Sequence, residues 1–191
     1  DANVSIYRDQ MRELEADLAA GTLAREDENN LIERCTQRIT REEGAPPRGW
    51  LSPWISESMF TPDLLQRAGY RYTLNWCHDD QPLRMKAGAG TLWSVPYPQE
   101  LNDPNAIAGR RHTATDFADM IVAQYNEMLR QCEGQPLVMA VALHAHIAGQ
   151  PFRIDALRPA LRHISQQHPS TWLTTSDAIA EAFAAGQEPR A

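Results

Sequence analysis

The sequence predicts an α/β protein of parallel strands, led in by a helical hairpin, and three observations carry that expectation. Apolar residues in the first 43 positions recur every three or four residues between charged ones, the pattern of amphipathic helices. Beyond Pro46 and Pro47, strand-sized apolar pieces alternate with helical ones, as in a parallel α/β sheet. One piece, 136–143, is apolar at nearly every position, as in a strand covered on both faces. The 191 residues, 42% hydrophobic and 23% charged, suffice for one domain with a sizeable core.

Val4, Tyr7, Met11, Leu14 and Leu18 mark a first helix, which Gly21 ends. A second runs from Arg25 to Glu43 with Leu31, Ile32, Cys35 and Ile39 on one stripe, and stops at Gly44 ahead of the two prolines. Strands are expected near 49–51, 70–76, 91–95, 136–143 and 171–174, and helices near 61–68, 113–132, 154–166 and 176–185. Thr61, Pro62 and Asp63 offer an N-cap hydroxyl, a proline at the first helical position and an acid in the first turn; Thr113 or Thr115, and Ser176, can cap likewise. The stretch 76–112, rich in Pro, Gly, Asp and Asn, reads mostly as loop, and a loop of that size in a compact domain is usually functional.

Eighteen basic against twenty-five acidic residues leave a formal charge of −7. With no basic excess to displace counterions from a phosphate backbone, nucleic acid is not expected as a partner. Cys35, Cys77 and Cys132 are odd in number, far apart and without a C-x-x-C pair. That argues against a disulfide framework or a zinc site and for a reducing, cytoplasmic setting. No apolar run reaches the roughly 18 residues of a membrane span, and the opening residues are too charged for a secretory signal, so no membrane partner is expected. The chain does not open on methionine, which suggests a processed, trimmed or partial product.

Three clusters at expected strand ends carry the chemistry. In "LVMAVALHAHIAGQPFR", residues 137–153, an apolar piece runs out into His144 and His146, where α/β sheets and barrels place their sites. Two apart on an extended chain, the imidazoles would share a side and one pocket; the alternative is a histidine that only bonds loop backbone. In "YRYTLNWCHDDQP", residues 70–82, Asp79 and Asp80 can orient a histidine, accept a proton or hold a cation, or simply cap a turn. In "PPRGWLSPWISES", residues 46–58, Arg48, Trp50 and Trp54 offer a fixed cation and aromatic faces suited to sugar rings or flat heterocycles; the alternative is an aromatic corner with Arg48 in a structural salt bridge. Together they describe a pocket able to orient a carbonyl substrate and protonate a leaving nitrogen. His144 is the expected general acid, because imidazole titrates near neutrality and a neighbouring carboxylate would raise it.

The pieces "RGWLSPWISES", "TPDLLQRAGYRYTLNWCHDDQP", "SVPYPQELND" and "LVMAVALHAHIAGQPFR" make the chain from about Leu31 to Ile164 resemble the polysaccharide deacetylase family, carbohydrate esterase family four, in its allantoinase-like branch. The resemblance implies the C-terminal part of a (β/α)7 deacetylase-type barrel and hydrolysis of carbon-nitrogen bonds outside peptides. It matches Arg48 to the arginine that holds the catalytic acid, Trp54 and Trp76 to pocket walls, His144 to the proton donor of the Leu-His motif, and Asp79 and Asp80 to the branch's acidic pair. Catalysis is thus expected of His144, Arg48 and Asp79, and substrate binding of Trp54, Trp76, Asp80 and His146. Two departures stand out. The family's catalytic aspartate and its metal-binding His-x-x-x-His are not found, and Asn75 stands where relatives carry aspartate, which would weaken the orientation and charging of His144.

Residues 1–27 resemble instead the helical segment of a cytochrome c biogenesis protein, so the expected division is 1–27, a partial barrel over 28–186, and a tail over 187–191. A partial barrel leaves an open sheet edge, which a second copy would cover as a homodimer. The expected substrate is an N-acetylated oligosaccharide or an allantoin-type cyclic ureide, with no cofactor. The alternatives are a non-catalytic interaction module and a divalent-metal site built from His78, Asp79, Asp80, His144 and His146.

Overall fold

The computed structural model describes residues 25–166 and 171–187; the first expected helix and the end of the tail lie outside the described residues. The chain forms two compact units. One comprises the described residues up to Trp76, Leu83–Val95, and those from Ser176 onward; the other comprises Cys77–Pro82 and Pro96–Thr175.

In the first unit, helix α1 (Arg25–Glu43) carries Glu26, Asp27 and Glu28 in its first turn and Arg41 in its last, each favourable to the helix dipole. The expected junction at 27 and 28 falls inside this helix. Leu31 and Ile32 are buried and Cys35 is half-buried, whereas Ile39, expected on the same stripe, is exposed. Ile32 packs with Leu64, Leu65, Tyr70, Ala87 and Leu92 in the unit's core. Helix α2 (Thr61–Arg67) follows strand β1 (Gly49–Trp50), but Thr61 is not its N-cap. Phe60 takes that position, and the Thr61 hydroxyl donates instead to the buried Glu28 carboxylate while accepting from the Ser58 N–H. A charge that deep has to be compensated by donors, and that demand outweighs the cap.

The sheet runs in the order β1-β2-β4-β3, where β2 is Tyr72–Thr73, β3 Leu83–Ala87 and β4 Gly90–Ser94. β1, β2 and β4 are parallel and β3 is antiparallel to β4. β3 lies in the stretch read as loop. Its two-residue connection to β4 carries Gly88 at a φ of 53° in the first turn position, the conformation that a hairpin twist demands and that glycine adopts freely. Helix α5 (Ser176–Gln187) completes the unit and runs past the expected limit at 185.

In the second unit, helix α3 (Ala114–Gln131) begins with a capping box. The Thr113 hydroxyl accepts from the Asp116 N–H at 3.1 Å, and the Asp116 carboxylate accepts from the Thr113 N–H at 2.8 Å. Phe117 and Ile121 of α3 pack against Leu157 and Ala160 of helix α4 (Pro151–Gln166), with Leu101, Ile107 and Ala148 in the same core. α4 starts three residues before the expected 154. The piece 136–143 is no doubly covered strand. It is extended, with a single parallel bridge from Ala142 to Asn102; Val138 and Ala142 are buried, and Leu143 is exposed. Residues 171–174 form no ladder, and Trp172 and Leu173 project into solvent. Among the described residues no helix is long and apolar enough to cross a membrane.

Candidate active site

The best-defined constellation lies in the second unit and is built on Asp103. Backbone bonds from Asp103 N–H to Ala142 O (3.2 Å) and from Ala142 N–H to Leu101 O (2.9 Å) clamp the residues around Asp103 beside the extended piece that leads to His144. Pro104 then turns the chain into a π-helical turn, Pro104–Gly109, at whose start Asp103 sits with 0% exposure. Its Oδ1 lies 2.6 Å from His144 Nδ1, and its Oδ2 accepts from the backbone N–H of His144 at 2.8 Å and of Ala148 at 3.0 Å. Three donors make a buried carboxylate tolerable. An ionised carboxylate only accepts, so Nδ1 carries the hydrogen and Nε2 is the nitrogen left to face a substrate. The side chain of His144 is 40% exposed, so that nitrogen can be reached.

His146 does not share a side with His144 through strand alternation, because the chain turns immediately after His144. The His144 carbonyl accepts from Ile147 N–H at 2.9 Å and from Gly149 N–H at 3.3 Å. Within this turn the two rings stand edge to face with centroids 5.7 Å apart. The turn requires Gly149: a Cβ there would lie 2.5 Å from the Ala145 carbonyl oxygen. His146 itself is exposed.

His78, Asp79 and Asp80 form a turn in the same unit, in which His78 and Asp80 adopt positive φ angles of 49° and 62°. Burial pushes the His78 imidazole down against the opposing charge of Asp79, and burial together with that charge pushes the Asp80 carboxyl up. The acid that receives His144 is Asp103, a residue to which sequence reasoning gave no role although it closes "SVPYPQELND". Its signal was an acid directly ahead of a proline, Asp103 before Pro104, at the close of one of the family-like pieces. Tyr97 nearby has its phenol pushed up by burial and by the charge of Asp103. Among the described residues no three His, Cys, Asp or Glu side chains gather as metal ligands, so the alternative set of His78, Asp79, Asp80, His144 and His146 does not fit a cation.

The first unit holds the remaining expected residues. Arg48, just before β1, is gripped by Asp177 and Glu181 of α5, one terminal nitrogen to each, and Arg71 lies 4.0 Å from Glu181. This is the structural salt bridge weighed against a catalytic arginine. Trp54, in the 3-10 turn Pro53–Ile55, has a φ of 54° and is 72% exposed. The amide of Asn75, buried, is spent within its own unit: it accepts from Ser52 N–H at 2.8 Å and donates to Ser52 Oγ at 2.9 Å and to Glu57 Oε2 at 2.7 Å. The orientation of His144, which an asparagine here was expected to weaken, is supplied by Asp103. The Trp76 indole N–H donates to Glu57 Oε1 at 2.8 Å.

No family model matches the chain. Over 118 residues it is 34% identical to "Putative polysaccharide deacetylase" of Schizosaccharomyces pombe, a match covering 58% of the chain and 35% of that protein. The chain thus spans about a third of the length of this curated relative. Its fold is that of Puue Allantoinase (TM-score 0.79, 19% identity, 88% of the chain and 56% of that structure). It is also that of a probable polysaccharide deacetylase from Pseudomonas aeruginosa PAO1 (TM-score 0.76, 18% identity, 85% and 54%). In sequence the chain is therefore a relative of a protein named "Putative polysaccharide deacetylase", and in fold it carries part of the α/β barrel seen in the polysaccharide deacetylase and allantoinase structures that it matches.

Proposed function

We propose that the chain serves hydrolysis of a carbon-nitrogen bond outside peptides, in an N-acetylated sugar or an allantoin-type cyclic ureide, with His144 as proton donor. The observation that carries this reading is the buried Asp103 carboxylate on His144 Nδ1, which fixes the ring and leaves Nε2 for the substrate. Water adds to the carbonyl carbon to give a tetrahedral oxyanion. As the carbon-nitrogen bond breaks, the protonated imidazole passes its Nε2 proton to the departing nitrogen, and Asp103 balances the imidazolium until that point. Asp79, exposed, is the acid we assign to proton acceptance, and Asp80 and His146 the polar substrate contacts of the same unit. Trp54 and Trp76 supply ring faces in the first unit. The setting is cytoplasmic and the assembly a homodimer.

The test is release of acetate from chitooligosaccharides or ring opening of allantoin, lost in His144→Ala. Turnover untouched by that substitution removes His144 from the mechanism. A second reading, a non-catalytic interaction module, is favoured by one observation: Arg48 has both terminal nitrogens committed to Asp177 and Glu181. Absence of turnover on both substrates in the wild-type chain selects it.

A further inference from the structure

Residues Ser52 to Glu57, all in the first unit, form an arch with a left-handed crown. Trp54 and Ile55 follow one another at φ angles of 54° and 53°, and no glycine stands in the arch. That region disfavours every L side chain and a β-branched one most. Hydrogen bonds within the arch do not impose it. Ile55 N–H to Ser52 O and Ser56 N–H to Pro53 O, each 3.0 Å, are spaced as in turns of either hand. Such strain persists only where the surroundings over-determine it. Here both feet of the arch are fastened to one buried amide. Asn75 Oδ1 accepts from Ser52 N–H at 2.8 Å, and its Nδ2 donates to Ser52 Oγ at 2.9 Å and to Glu57 Oε2 at 2.7 Å. The Trp50 indole N–H donates to the same Ser52 hydroxyl at 2.8 Å, and the Ser58 hydroxyl beyond the other foot donates to the buried Glu28 carboxylate. The fastening is buried, whereas the Trp54 ring that it lifts is largely exposed.

We propose that Asn75 is a positioning residue that clamps Ser52 to Glu57 and so holds the strained arch that presents Trp54 to a ligand. This rests on the functional reading only in taking Trp54 as a substrate contact. The clamp needs an acceptor for Ser52 N–H and a donor for the Glu57 carboxylate, and an amide carries both on one planar group. An aspartate at 75 keeps the acceptor, loses the donor and sets a second carboxylate against Glu57, so that foot is released. Exchanging the two groups mends the bond with its polarity reversed. In Asn75→Asp with Glu57→Gln, the new glutamine amide donates to the new aspartate, and its oxygen still accepts from the Trp76 indole N–H.

The test reads Trp54 and Ile55 in nitrogen-proton spectra of the full chain, where a left-handed residue shows an intense cross-peak between its own amide and α protons. Wild type is expected to show both cross-peaks, Asn75→Asp to lose them, and the double variant Asn75→Asp with Glu57→Gln to recover them. Calorimetric titration of allantoin and of chitotriose gives the second readout. For the probe that wild type binds, affinity is expected to fall about tenfold in Asn75→Asp, to fall as far in Trp54→Ala, and to return in the double variant. Cross-peaks kept in Asn75→Asp, or not restored in the double variant, overturn the clamp and leave the functional reading in place. Affinity unchanged in Asn75→Asp after its cross-peaks are lost overturns the presentation of Trp54. A wild-type chain that binds neither probe overturns the functional reading and the ligand-facing role of the arch with it.

Discussion

His144 Nδ1 stands 2.6 Å from Oδ1 of Asp103, and the other oxygen of that carboxylate takes two backbone N–H groups from the turn that His144 begins. One buried acid therefore sets both the tautomer of the ring and the course of the chain after it. Asp103→Asn exchanges an acceptor for a mixed amide facing three donors. Acetate release is expected to fall on the order of 100-fold, and the unfolding free energy to drop by about 2 kcal/mol. Matching activity and melting curves for the variant and the wild-type chain would refute the coupling.

Gly149 is the second requirement of that turn. Gly149→Ala brings a methyl carbon against the Ala145 carbonyl oxygen, and an expected loss of about 1–3 kcal/mol would lower the melting temperature by several degrees. A variant melting with the wild type would show that the turn can relax.

Arg48 tells structure from catalysis through salt. Its two ion pairs are partly exposed, so Arg48→Met should cost about 1 kcal/mol at low ionic strength and less near 1 M salt, where the Debye length is about 3 Å. Loss of turnover at unchanged stability would instead place the guanidinium on the substrate.

The capping box of α3 carries a pH signature. Bonds from the Thr113 hydroxyl, then from its backbone N–H, hold the Asp116 carboxyl below its ordinary 3.8. A depressed carboxylate stabilises the fold above its unfolded value and loses that contribution as pH falls through the lower folded value. Melting of Asp116→Asn should therefore lie below wild type at pH 6 and converge with it in acid. Thr113→Ala should cost about 1 kcal/mol at neutral pH. Parallel curves for Asp116→Asn and wild type from neutral to acid pH would remove the cap from the account.

Much of this was legible in the residues. The helix Arg25–Glu43 is bounded as its acids, its apolar stripe and Gly44 indicate, and Thr113 caps as its position suggests. The hairpin strand Leu83–Ala87 hid because alternating Leu83, Met85 and Ala87 were read together with the glycines around them as loop. His144 stood out as an imidazole closing an apolar run. Asp103 did not, because its partner lies 41 residues away and only the fold brings them together. Thr61 misled for a similar reason: its hydroxyl serves Glu28, which local capping rules do not see.

The clasp between Arg48 and α5 joins positions 129 and 133 residues apart. Loop closure over that span is entropically costly and slow, and the first unit is assembled from three separated stretches of chain. During synthesis, β1 and α2 emerge long before the helix that neutralises Arg48, so this unit reaches its final form only after the ribosome has passed residue 187. The second unit, whose stretches all precede Ser176, is free to mature first.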